Sequence, residues 1–387
     1  MSGLSPRFLP IVLIVAAISA GCVSDPVVFN TKDVNVSEVA AVREVFAVTS
    51  RTPTSDPAHM FDEGRSKELH YVGLEVGIPE EHRPGRVEAA RNEPNPAKHF
   101  TLVNRRTIAN EDALREEINR SIDRPGNSKR EILIFVHGYN NSFASSIFRQ
   151  TQMLTDFGVD AVALNYSWPS ASRAEGYIYD RDSAIFAQDG LVDVLRLAIS
   201  TDAEHITVFA HSMGSLVTVQ ALRSLVIAED HDTLGKIDTV VLAAPDVDID
   251  VFDSLITDIG PHRPREFTIL VSNRDRALGV SSSLRGGHPR VGQSENAELL
   301  QDRGIVVLDV SKLDGGGHAT FAGSQALIEI VRSEALEQTF ESVSENQDTA
   351  TVVNGAGDAA SLLIFIPARM LSSVTGDGSQ APDWSDK

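Results

Sequence analysis

From residue 131 onwards, short uninterrupted apolar runs recur along the chain. Ile132–Val136 is the first, and Val159–Leu164, Ile206–Ala210, Thr239–Ala243, Phe267–Val271 and Ile305–Val310 follow. Each has the length of a strand and lacks polar alternation, as expected of a strand covered on both faces. Between them lie stretches with apolar residues at helical spacing, such as Ser183–Ser200 and Met213–Ile227. Strands alternating with helices predict an α/β architecture, a mostly parallel central sheet with helices on both faces.

The flanking regions have a different texture. Between Ser24 and Ser128, Val45–Ser50 and Leu69–Val76 have strand composition, and Glu111–Ile122 has helical spacing. Thr52–Ser66 and Pro79–Lys98 are polar and are expected to be loops. Past Val343 the chain is polar over Ser344–Gly357, then apolar over Ser361–Leu371, a segment too short to span a bilayer and expected to dock on the domain. Ser372–Lys387 has the composition of a disordered end. The expected organisation is therefore an N-terminal segment 1–22, strands and loops over 23–128, a catalytic core over 129–343 and a polar tail with one apolar segment over 344–387.

Residues 1–22 look like an export signal. Arg7 precedes the apolar run Phe8–Ala20, which is short for a spanning helix and is closed by Ser19-Ala20-Gly21-Cys22. That ending resembles a bacterial lipobox, although Ser19 stands where an aliphatic residue is usual. It predicts an exported protein tethered to a membrane of the cell envelope through a lipid on Cys22. A plain signal cleaved nearby, giving a soluble exported protein, and an uncleaved anchor are the alternatives. Cys22 is the only cysteine, so an intramolecular disulfide and a multi-thiolate zinc site are both excluded. The 387 residues carry 34 Lys and Arg against 54 Asp and Glu, a net charge of −20 that argues against nucleic acid as a partner.

Chemistry concentrates in Val208-Phe209-Ala210-His211-Ser212-Met213-Gly214-Ser215. A serine between small residues, after a buried strand and before a helix, is a variant of the nucleophile elbow G-x-S-x-G, with Ala210 in place of the first glycine. The turn lifts the Ser212 hydroxyl to the strand's carboxyl end, where the helix N-terminus favours negative charge. Phe135-Val136-His137-Gly138-Tyr139-Asn140-Asn141 closes an earlier strand and suits half of an oxyanion hole. The amides of Tyr139 and Met213 would hold the oxyanion, and Gly138 would allow close approach at the site border. A serine hydroxyl needs a base, expected late in the chain and after an acid. His318, in Asp314-Gly315-Gly316-Gly317-His318, fits better than His288 or His262, and His137 precedes the serine and reads as structural. For the acid, Asp275, just past one buried strand, leads over Asp246, past the preceding one.

These stretches, together with Tyr166-Ser167-Trp168-Pro169-Ser170, Leu242-Ala243-Ala244-Pro245-Asp246 and Ser272-Asn273-Arg274-Asp275-Arg276-Ala277-Leu278, resemble bacterial α/β-hydrolase-fold proteins of uncharacterised function in the esterase/lipase superfamily. The resemblance spans roughly residues 40–340. It implies the fold and a Ser–Asp–His arrangement, with Trp168 either at the site border or packed in its loop. It says little about substrate. Members carry an aromatic residue soon after the histidine, where this chain has Ala319-Thr320-Phe321. The expected activity is hydrolysis of a small carboxylic ester, or a thioester or amide, without metal or cofactor. A membrane-anchored binding protein that keeps the fold without turnover is the alternative, and a third reading, a lipase acting at membranes, would need an apolar lid that the sequence does not show.

Overall fold

The computed structural model describes residues 27–90, 92–124, 129–284, 286–332, 350–354 and 361–365. The strands are β1 (Ala41–Pro53), β2 (Phe61–Ile78), β3 (Thr101–Ile108), β4 (Glu131–Val136), β5 (Val162–Ser167), β6 (His205–His211), β7 (Thr239–Ala243), β8 (Glu266–Val271), β9 (Val306–Asp309), β10 (Ala350–Asn354) and β11 (Ser361–Phe365). They form one sheet in the order β10-β11-β9-β8-β7-β6-β4-β5-β1-β2-β3. The central seven, from β9 to β1, pair in parallel, with β2–β3 added antiparallel at one edge and β11–β10 at the other. This is an α/β-hydrolase sheet.

The helices are α1 (Glu111–Ile122), α2 (Phe143–Asp156), α3 (Tyr177–Phe186), α4 (Gln188–Ile199), α5 (Gly214–Ile227), α6 (His231–Gly235), α7 (Ile249–Ile259), α8 (Arg276–Leu284), α9 (Ala297–Asp302), α10 (Thr320–Gly323) and α11 (Gln325–Arg332). They cover both faces. Ile132, Ile134 and Val136 of β4 pack with α1, α4, α5 and α7 on one side, while Leu133 and Phe135 pack with α2 and α11 on the other. Two buried faces are why β4 is apolar without alternation. Truncating one of these side chains to Ala would remove about 2–5 kcal/mol.

Several boundaries differ from those expected. Thr52–Ser66 is not one loop: β1 continues to Pro53 and β2 starts at Phe61, because the hairpin pairs Arg51 with Arg65 and Pro53 with Phe61 through polar residues. Val159–Leu164 is shifted: β5 begins at Val162 and continues through Asn165 and Ser167. Asn165 is buried but satisfied, donating to Gln150 Oε1 at 3.0 Å and accepting from Ser146 Oγ at 3.0 Å. Ser183–Ser200 is two helices, broken at Ala187. Within the polar tail, residues 350–354 form β10, and β11 pairs with β9. Residues 1–26, with the export signal and Cys22, and residues 366–387 lie outside the described residues. No described helix is long and apolar enough to cross a membrane.

Candidate active site

The carboxyl ends of β4, β6, β7, β8 and β9 form one rim, and the candidate residues meet there. Ser212 follows β6 with φ 53°, a left-handed backbone that costs a non-glycine residue about 1–3 kcal/mol. Its amide donates to Ala243 O at 2.9 Å, and its carbonyl accepts from Asp246 N at 3.2 Å, so the end of β7 and the loop after it hold the strained turn on both sides. Gly214 has no alternative: a Cβ there would lie 2.4 Å from His137 O and 2.6 Å from Val136 O. Gly138 faces the same turn, and a Cβ on it would come within 2.8 Å of Ser212 Cβ. Met213 is the N-cap of α5, and the first turn closes on the nucleophile turn itself: Ser215 N donates to Ser212 O and Leu216 N to Met213 O, both at 3.1 Å. Ser212 is 4% exposed.

His318 sits beyond the glycine run after β9. Its Nδ1 is 2.7 Å from Asp275 Oδ2. The His318 side chain is 16% exposed and that of Asp275 is fully buried. The other oxygen of Asp275 accepts from the amides of Ala277 and Leu278 at 3.0 and 3.1 Å, which caps α8 and locks the carboxylate. The His318 pKa is raised: burial opposes the charge, but the carboxylate of Asp275, by proximity and by hydrogen bond, and then that of Asp246 outweigh it. The His318 ring lies 4.7 Å from that of His211, the residue before Ser212. A hydroxyl-bearing turn and a His–Asp pair therefore adjoin at one rim, an arrangement suited to removing a proton from Ser212.

A sequence profile described as "Alpha/beta hydrolase of unknown function (DUF900)" matches residues 110–336, more than half of the chain. The chain belongs to this family. No curated protein matches it. Among solved structures it is similar to a Pyrobaculum calidifontis esterase, at 12% identity and TM-score 0.31 over 85% of this chain and 91% of that one. It is also similar to esterase B from Lactobacillus rhamnosis, described with a tributyrin phosphonate, at 10% identity and TM-score 0.36 over 88% and 94%.

In this DUF900 chain the remaining candidates separate clearly. Asp246 does not touch His318 through a hydrogen bond. It accepts from Tyr177 Oη at 2.8 Å and Ser281 Oγ at 2.5 Å, and lies 3.4 Å from Nε of the fully buried Arg290. His137 is buried, its pKa pushed down to about 3 by burial and by the Arg51 charge, and so it is neutral. Its ring nitrogens lie 2.8 Å from Gly138 O and 3.0 Å from Trp168 O. Trp168 is fully buried: its ring stacks on His137 at 4.8 Å and its Nε1 donates to His137 O at 2.7 Å, so it packs in its loop. Tyr139 follows Gly138, and its ring meets that of Tyr177 edge-on at 5.3 Å. His262 stacks on His231, and the carbonyl of His288 accepts from Ser282 Oγ; among the described residues no hydrogen bond or ring contact joins either of them to Asp275 or His318. Among the described residues no cluster of three or more His, Cys, Asp or Glu could hold a metal ion.

Two supporting residues escaped the sequence reading. Arg51, 1% exposed, donates to Asn141 O at 2.7 Å, Ser170 O at 3.0 Å and Ser167 Oγ at 3.0 Å, tying β1 to the loops after β4 and β5. Burial lowers its pKa to about 10, and it stays charged. Asp180 of α3 accepts from the amides of Asn140 and Ala171 at 3.0 and 2.5 Å and from Ser170 Oγ at 2.5 Å. It holds Asn140 at φ 57° beside Tyr139. The available signal was an arginine directly following the apolar β1 run.

Proposed function

We propose that the protein is a serine hydrolase that cleaves a carboxylic ester, or a related thioester or amide, through Ser212, His318 and Asp275. The observation that carries this reading is the 2.7 Å His318–Asp275 contact beside the positive-φ turn of Ser212. His318, neutral and aligned by Asp275, takes the hydroxyl proton as Ser212 attacks the acyl carbon. The oxyanion of the tetrahedral intermediate is held by the amides of Met213 and Tyr139. His318 returns the proton to the leaving alcohol, leaving an acyl-enzyme. Water, activated by the same imidazole, then releases the acid. Ser212→Ala should abolish turnover of p-nitrophenyl acetate with folding intact, and wild-type rates in that variant would end the reading.

Binding without turnover rests on a different observation. A cavity of about 620 Å3 among Pro53, Phe61, Tyr71 and Arg105 lies at the β1–β3 end of the sheet rather than at Ser212. That reading predicts a folded protein whose Ser212 is inert to phosphonates. For location, the lipobox-like ending at Cys22 supports export and a lipid tether. Val27–Phe29 lie near the start of α2, where Ser142 Oγ contacts Val27 O at 3.4 Å and Phe29 packs on Phe143. Five residues reach at most about 18 Å. Cys22→Ala should abolish incorporation of labelled palmitate in a bacterial host.

A further inference from the structure

His211 lies between the two halves of the candidate site. It ends β6 and directly precedes Ser212. Its ring stacks on Phe321 of α10, with centroids 4.2 Å apart and planes 29° apart, and lies 4.7 Å from the His318 ring. Its Nε2 is 3.3 Å from the backbone oxygen of His318. That oxygen can only accept, so Nε2 must carry the proton of the bond. Nδ1 faces Gly138, where an added Cβ would lie 2.8 Å from it. One imidazole thus touches the oxyanion loop, the nucleophile turn and the loop of the base.

The loop of the base needs such a brace. Between Asp314 and His318 it runs through three glycines, and Gly315 and Gly316 have φ of 88° and 62°. Ser272 Oγ donates to Gly316 O at 2.5 Å, which ties the loop to the end of β8 but not to the nucleophile turn. We propose that His211 is a positioning residue, whose bond to the His318 carbonyl holds the catalytic imidazole against Asp275 and in register with Ser212. Its consequence for rate rests on the serine-hydrolase reading, whereas the brace itself does not.

The electrostatics agree with a neutral donor. Burial and then the neighbouring His318 push the pKa of His211 well below 6.5, with Arg149 of α2 and His137 acting in the same direction. The groups facing His318 are Asp275 after β8, Asp246 after β7 and His211 of β6. A second cation at position 211 would oppose the imidazolium that His318 must become.

The test is histidine NMR on the full chain, with His318 assigned by its loss in His318→Gln. In wild type the brace requires His211 in the Nε2–H tautomer near neutral pH, and an Nδ1–H tautomer overturns it. His211→Gln keeps a donor at the reach of Nε2, and His211→Met has similar length but no donor. The Gln variant should keep the His318 titration midpoint, while the Met variant should lower it by about half a unit or more. It should also slow phosphonate labelling of Ser212 about tenfold. Equal midpoints in wild type and both variants would reduce His211 to packing and overturn the proposal. Absence of labelling in wild type would instead count against the hydrolase reading, leaving the tautomer and midpoints to decide the brace.

Discussion

Asp275 divides its carboxylate between two tasks, one oxygen on His318 and the other on the first amides of α8. Asp275→Asn should therefore cost about 10³–10⁴ in kcat, the scale of a lost base-orienting acid, with only a modest change in KM. A base must be neutral to accept a proton, and the His318 pKa is raised, so kcat/KM should fall as pH drops through a midpoint above 6.5. In Asp275→Asn that limb should move to lower pH. His137 titrates the other way, because its folded pKa of about 3 lies below the unfolded value. The unfolded chain takes a proton on that residue below about pH 6.5 and the folded one does not. Stability is therefore full above that value and falls as the pH drops towards 3. Between pH 7 and pH 4 urea titrations should lose about 3 kcal/mol more in wild type than in His137→Asn. At this scale Ser212, His318 and Asp275 were legible in sequence because each sits in a turn directly after a buried strand or its loop. Arg51 and Asp180 were not, because a lone charge in sequence is usually solvated, and only the fold reveals the carbonyls and amides converging on them.

Elements carry the next level of control. Helix α3 reaches the rim at two points: Tyr177 bonds Asp246, and Asp180 holds the Asn140 amide beside the Tyr139 amide. Replacing Asp180 with Ala strands two amides and a hydroxyl in the interior, at about 1–3 kcal/mol each before relaxation. Thermal unfolding should show a loss of about 3 kcal/mol or more. Kinetics should show kcat falling more than KM rises if the loosened loop carries the proposed oxyanion donor, the Tyr139 amide. The helix itself was half visible. Apolar spacing suggested one helix over Ser183–Ser200, whereas the start at Tyr177, which bonds Asp246, and the break at Ala187, whose carbonyl accepts from Tyr166 Oη, depend on tertiary contacts. The central strands were legible because both faces are covered. The β1–β2 hairpin was not, because its far end pairs polar residues that carry no apolar signature.

At the scale of the molecule, the family match begins at residue 110, yet β1 lies between β5 and β2 in the sheet. Phe46 and Val48 of β1 belong to one core, and Val45 and Ala47 to the other. A chain starting at residue 110 would leave the β5 edge unpaired and both cores open. It should be insoluble or lack cooperative unfolding by calorimetry, whereas a chain starting at residue 27 should unfold cooperatively. The central claim is the meeting of Ser212, His318 and Asp275 at one rim as a working nucleophile. Its most direct measurement is the rate and site of fluorophosphonate labelling, mapped by mass spectrometry in wild type and in His318→Gln. The account predicts a single adduct on Ser212, formed at least about 100-fold more slowly in the variant. An adduct on a different residue, no adduct on the folded wild-type protein, or equal rates in both proteins would contradict it.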